Sequence, residues 1–299
     1  MSTNKSAAIK LSNIFSVIKE SLNGEGQDYT SGSMRKAIIL LAIPMMLEMI
    51  MESVFAVVDI YFVSHLGKHA TQVVGLTESV ITIVYSIAMG MSMAATAMVA
   101  RRVGEKDAEG AKKAATQSIV VSVLLTVIIT IPGFIFAPQI LKFMGAETAA
   151  IEMGTSYARI IMGSSLPIML LFLINGIFRG AGDAMMAMKS LWLANICNII
   201  LCPVLIRGFG PIPAMGLMGA AIATTIGRSI GVLYQLYHLF NGKGIVKLAL
   251  DKISPDWNVI RSLLNVAFFA ECGLACCFAI FNWLGKLDCT GKISSRHRA

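Results

Sequence analysis

Charge is scarce in this chain. Asp, Glu, Lys and Arg make up 14% of its 299 residues, where soluble domains carry about a quarter, and that scarcity excludes an ordinary water-soluble globule. Four histidines, His65, His69, His238 and His297, are too few and too scattered for a histidine metal centre. Six cysteines build no disulfide framework, and no pair has metal-ligand spacing. No paired Asp-rich diphosphate motif occurs, and no nucleophile stands beside a base at a recognisable spacing. The chain therefore reads as no enzyme, and no cofactor is expected. Its net charge is +8, but the basic residues lie between long apolar runs, where they act as orientation signals and not as a nucleic-acid footprint.

What the chain has in abundance is apolar length. Hydrophobic residues make up 56% and the mean hydropathy is +0.73. Six stretches reach the 20 or so residues that a bilayer requires, near 37–63, 72–100, 115–138, 157–178, 187–206 and 214–240, with a weaker seventh at 262–283. Short connections leave no room for a soluble domain between them. The expected fold is all-α, a polytopic membrane helix bundle of one six-helix lobe with a partial seventh helix. It divides into a cytoplasmic amphipathic segment and linker (1–36), the lobe (37–240), and a loop, partial helix and tail (241–299). "IKLSNIFSVIKESL" has the helical spacing of an interfacial amphipathic helix; a partly ordered tail is the alternative.

Orientation follows from the distribution of Lys and Arg. With the N-terminus inside, the cytoplasmic segments carry about fifteen and the three outer loops carry one each, Lys68, Lys142 and Arg207. The bias predicts a multi-pass membrane protein with a cytoplasmic N-terminus.

The first apolar stretch contains "IPMMLEMIMESVFAVVDIYFVSHLG", which carries Glu48, Glu52 and Asp59. At 100° per residue the three acids fall at about 0°, 40° and 20°, one narrow face, with Phe55 beside them and Met45 close by. A charge at mid-bilayer costs about 2.5–3.5 kcal/mol on insertion scales, so acids on one stripe face a polar interior and mark ion or substrate pathways. The competing explanation is that they are paired with a buried base and pin helices together. Arg228, in the sixth stretch, is the candidate partner. Glu78, early in the second, reads as lying near the outer interface. In "LANICNIILCPVLIRGFGP", Asn195 and Asn198 are polar in an apolar helix, Asn198 and Cys202 share a face, and Pro203 removes a backbone donor. Ligand contact and interhelical hydrogen bonding both fit the asparagines.

These residues, taken with "ATAMVARRVGEKDAEGAKKA", "NGIFRGAGDAMMAMKS", "NIILCP" and "GLMGAAIATTIG" in that order across residues 30–240, resemble the multidrug and toxic compound extrusion (MATE) family. The resemblance implies cation-coupled antiport: Na⁺ or H⁺ enters while an amphipathic, drug-like or toxic compound is exported. It implies that Asp59 is central to cation coupling. With Glu52, Glu48 and Asn198 it makes up the expected coupling set, Asp59 and Asn198 being the candidate Na⁺ ligands. Phe55, Met45, Cys202 and Arg228 are the expected cavity residues. The signature around Arg179–Asp183, like Gly104, matches cytoplasmic connections and implies a structural role. Most of the nineteen methionines read as lipid- or helix-facing filler; some would suit a forgiving substrate surface.

Two departures from the family pattern stand out. Some members carry Asp where Cys202 stands, and a thiol with an ordinary pKa of about 8.5 does not supply that charge near neutrality. Glu48 or Glu52 is then the expected substitute. Family members also have two six-helix lobes with the substrate path between them. Here one lobe is followed by a tail in which Cys272, Cys276, Cys277 and Cys289 crowd the last 28 residues and Glu271 interrupts the apolar run. That change of character beyond about Ala267 points to a frameshift or premature end, with an authentic shortened variant as the alternative. The expected partners are the bilayer, an amphipathic small molecule, and a missing second lobe or a second copy. A lipid-linked sugar flippase of the same superfamily would share the fold, but the acidic stripe argues against its basic cavity. A non-transporting membrane partner or regulator made of one lobe is the remaining alternative.

Overall fold

A computed structural model describes residues 34–211, 213–241 and six positions between 257 and 267. The amphipathic segment before residue 34 and the cysteine-rich tail lie outside the described residues, as does most of the weak seventh stretch.

The described lobe is helical. Its elements are α1 (Met34–Ser64), α2 (Lys68–Gly104), α3 (Ala108–Ile135), the short α4 (Ala137–Phe143), α5 (Thr148–Gly163), α6 (Ser165–Gly180), α7 (Ala184–Arg207) and α8 (Leu217–Asn241). Among the described residues six spans are long and apolar enough to cross a membrane, α5 and α6 together forming the fourth. The spans match the sequence reading in number and order, but several begin earlier. α3 starts at Ala108 and the fourth span at Thr148, because the helices continue through polar turns that a hydropathy window trims away.

Local chemistry explains the boundaries. Asp107 caps α3 by accepting the Gly110 amide at 2.8 Å, and Asp183 caps α7 by accepting that of Met186 at 3.1 Å. The fourth span breaks in "GSSLP". There Ser164 and Ser165 turn their hydroxyls back onto the carbonyls of Ile161 and Met162, and Pro167 supplies no amide to continue the ladder. Gly182, at φ +84°, lets the chain reverse between α6 and α7. Pro203 leaves α7 a single helix.

Two small-residue crossings hold the bundle. Gly176 and Gly180 of α6 press against the backbone of α2, where an added Cβ would stand 2.4 Å from the Ser92 carbonyl oxygen and 2.6 Å from that of Thr96. Gly227 and Gly231 of α8 meet α7 in the same way, at the Ala194 carbonyl and side chain. Each pair has the Gly-x-x-x-Gly spacing that lets helices approach closely in lipid, where no hydrophobic force draws them together. Hydroxyls reinforce the first crossing: Ser92 donates to the Phe172 carbonyl and Thr96 to that of Gly176, both at 2.8 Å.

The fourth span is the most enclosed, with 67% of its apolar window buried, while α1 buries only 17% and packs chiefly along α7. One apolar cluster gathers the beginnings of α2 and α8 with the end of α7, and another gathers the end of α2, the start of α3 and the end of α6. Leu263 and Ala267 are helical and buried in the second cluster, where the expected start of a seventh helix would place them. Ile87 packs against both clusters.

Candidate functional site

The three acids of α1 lie along one face, and each finds a different partner. Glu52 meets Arg228 of α8, with Nη2 donating to Oε1 at 2.5 Å and Nη1 to Oε2 at 3.4 Å, while Asn195 of α7 donates to Oε2 at 2.9 Å. The expected partnership with Arg228 is therefore made, and made by Glu52. Arg228 is buried at 2% exposure. Its guanidinium lies 5.2 Å from the Phe55 ring centroid and 5.9 Å from that of Phe172, with the Tyr85 hydroxyl at 3.5 Å. Flat aromatic faces suit this cation because a guanidinium is weakly hydrated and stacks on them.

One turn toward the N-terminus, Glu48 is 4% exposed. Its Oε2 lies 3.5 Å from Nη1 of Arg179, the last basic residue of α6. Arg179 also donates from Nη2 to the Ser92 hydroxyl at 2.9 Å. The residue read as part of a connecting signature thus reaches into the bundle and ties α6 to both α1 and α2. The Trp192 indole donates to the Leu47 carbonyl at 3.3 Å and fixes the same turn of α1 against α7.

Asp59, half-buried seven residues further along, has no basic partner within ion-pair distance among the described residues. Cys202 of α7 donates its S–H to Oδ1 at 3.7 Å, a weak bond to a neutral group. Asn198, one turn earlier on α7, donates its amide to the Thr224 hydroxyl at 2.9 Å, which leaves its carbonyl oxygen as an acceptor. Tyr157 of α5, 2% exposed, lies within electrostatic reach of Asp59 and Cys202. Glu78 joins this group. It is exposed on the lobe and feels the charges of Asp59, Arg228 and Glu52. Met45, by contrast, is 40% exposed and takes no part in these contacts.

The charges sum simply. Four carboxylates (Glu48, Glu52, Asp59, Glu78) face two guanidiniums (Arg179, Arg228), so the fully ionised site carries −2. The two acids tied to arginines are Glu48 and Glu52; the two without a base are Asp59 and Glu78. Among the described residues no three of His, Cys, Asp and Glu converge as a metal-binding group, so a metal ion at Asp59 would draw its remaining ligands from neutral oxygens.

A family model, MatE, matches residues 44–204. The chain is 28% identical over 234 residues to "Probable multidrug resistance protein NorM" of Thermotoga maritima, covering 78% of this chain and 50% of that protein. It is 26% identical to the "FAD transporter" of Shewanella oneidensis, covering 71% and 48% respectively. Among solved structures, one of MATE in complex with MaD5 aligns with a TM-score of 0.79 at 32% identity, over 86% of this chain and 58% of that one. A transporter of the MOP superfamily from Pyrococcus furiosus, described as having a binding pocket of reverse polarity, aligns with a TM-score of 0.76 at 32% identity, over 84% and 55%. The chain spans about half the length of the curated relatives it matches.

Proposed function

The chain belongs to the MatE family, a family of transporters and not of enzymes, and from that premise we propose that it takes part in cation-coupled export of amphipathic, drug-like compounds, with Asp59 holding the coupling ion. The observation that carries this reading is the division among the acids. Among the described residues Glu48 and Glu52 each lie against an arginine, whereas Asp59 has the neutral Cys202 at 3.7 Å and feels Arg228, itself committed to Glu52, only from beyond ion-pair distance. An ionised carboxylate without a directly paired base in a low-dielectric bundle gains most from taking up a proton or a metal ion. Its loaded and empty forms differ by one full charge, and that difference biases two arrangements of the bundle if the cation binds them unequally.

For H⁺, Asp59 alone suffices. For Na⁺, the carbonyl of Asn198 is the natural second ligand, because its amide is already committed to Thr224. Arg228 is occupied by Glu52 and enclosed by Phe55 and Phe172, so it presents no free charge to an anionic substrate. The residual −2 favours a cationic one. The substrate path would run between this lobe and a second, whether on the same polypeptide or in another copy. The chain would sit in the plasma (inner) membrane, as the family resemblance implies, with its N-terminus in the cytoplasm, as the Lys/Arg bias favours.

The test is to reconstitute the chain into vesicles with a fluorescent cationic dye and impose a Na⁺ or an H⁺ gradient. Dye movement driven by one of the gradients supports the reading. No movement under either, with insertion verified, contradicts export by this chain and favours a non-transporting membrane partner.

A further inference from the structure

Glu48 is the buried acid that coupling at Asp59 leaves unused. Its carboxyl is divided. Oε2 has Arg179 at 3.5 Å, while Oε1 is fully buried and meets no hydrogen-bond donor among the described residues. Arg179 makes its closer bond elsewhere, to the Ser92 hydroxyl at 2.9 Å, and the Ser92 O–H in turn donates to the Phe172 carbonyl at 2.8 Å. The guanidinium is therefore held in place by α2 whether or not Glu48 is charged. A buried ionised oxygen with no donor is costly, and an O–H formed at Oε1 removes that cost.

The position along α1 points to the same use. At 1.5 Å per residue, Glu48 lies about 6 Å along the axis from Glu52 and about 16 Å from Asp59. The three acids step through the bundle, each backed by a different helix: Cys202 of α7 at Asp59, Arg228 of α8 at Glu52, Arg179 of α6 at Glu48. The charged groups that act on Glu48 are Arg179 and, on its own helix, Glu52. α8 offers Arg228, which is committed to Glu52. α7 presents the neutral Trp192 to this turn, and α2 presents Ser92 through Arg179.

We propose that Glu48 is a second proton site, separate from Asp59, that takes its proton at Oε1 and serves as the inner station of the coupling path. This rests on the cation-coupled reading and adds to it a residue, an atom and a direction. In the loading step an O–H bond forms at Oε1, the proton coming from the aqueous phase. Arg179 keeps its proton and its bond to Ser92. The Glu48–Arg179 pair passes from net zero to +1, and the attraction that fastens this turn of α1 to α6 is lost. Proton release toward the cytoplasm restores it.

The test reads protonation at equilibrium and needs no transport, so its failure and the failure of the efflux reading are distinguishable. The purified chain in lipid is titrated while the infrared carbonyl stretch of buried neutral carboxyl groups is followed. Expected is a band that grows as the pH falls, disappears in Glu48→Gln and persists in Asp59→Asn. Arg179→Gln, which removes the facing charge, should move the midpoint of the Glu48 band upward by about one pH unit or more. Helical content measured on each variant confirms that it is folded. A band unchanged in Glu48→Gln, or a midpoint unmoved in Arg179→Gln, would overturn the assignment.

Discussion

Replacing Arg228 by Met removes the cation at the centre of the lobe and keeps most of its apolar stem. The structure sets the size of the effect. Arg228 is buried, donates twice to Glu52, reaches Tyr85 and lies among the rings of Phe55 and Phe172. Breaking a buried pair by deleting one partner costs about 3–5 kcal/mol, because the other charge stays in the interior uncompensated. Glu52 retains Asn195 and its side chain is 28% exposed, so the cost belongs at the lower end, about 3 kcal/mol. Adding Glu52→Gln removes the stranded charge, and the double variant should recover most of that loss, since a matched pair replaced by neutral groups is often near neutral. The assay is equilibrium unfolding of the purified protein in mixed micelles, run as a double-mutant cycle. A single variant within about 1 kcal/mol of the parent, or a double variant no more stable than Arg228→Met, would refute a buried and energetically coupled ion pair.

Three further outcomes follow from the geometry. Gly180→Leu forces a side chain into the Thr96 backbone and Val99 and should abolish stable folding of the lobe, read as loss of monodisperse protein, whereas Gly104→Leu, with open space around it, should be tolerated. Asp183, outside the spans, has its carboxyl pushed above the ordinary value, chiefly by burial and against the Met186 amide bond. Its contribution to stability is therefore fully present below about pH 4 and is lost as the pH rises through the higher folded value. Asp183→Asn keeps the cap and should remove that part of the pH dependence from a thermal-unfolding series; an unchanged series contradicts it. Cys202→Asp would place a second carboxylate beside Asp59. It should raise the apparent affinity for the coupling cation by about tenfold, a factor that corresponds to one pKa unit of added attraction, as read from the cation dependence of dye movement.

The bundle was legible because its signals are local. Apolar length marked six spans, and the 100° step placed Glu48, Glu52 and Asp59 on one face before any partner was known. Arg228 stood out as a lone cation in an apolar helix. What local pattern does not contain is where helices cross. Arg179 lies 131 positions from Glu48, at the end of a different helix, and nothing in "FRGAGD" says that its side chain turns inward. Glu78 reads as lying near the outer interface from its position in a span, and that position alone does not say that it also stands in the field of Asp59. Helix ends were missed for a related reason. Hydropathy measures what lipid touches, whereas α3 and α5 begin in polar turns held by a capping Asp107 or by packing against neighbours. The break at Ser164 was written in "GSSLP", yet an apolar window runs straight across it.

Asp59 as the coupling carboxylate is tested most directly by comparing Asp59→Asn with Glu52→Gln in vesicles, measuring dye movement as the Na⁺ or H⁺ gradient is varied. The expected result is that Asp59→Asn abolishes the dependence on the gradient, while Glu52→Gln lowers the yield of folded protein and leaves coupling in the surviving fraction. Export that stays gradient-driven in Asp59→Asn and uncouples in Glu52→Gln would contradict the assignment and move the coupling ion to the arginine-bound acid.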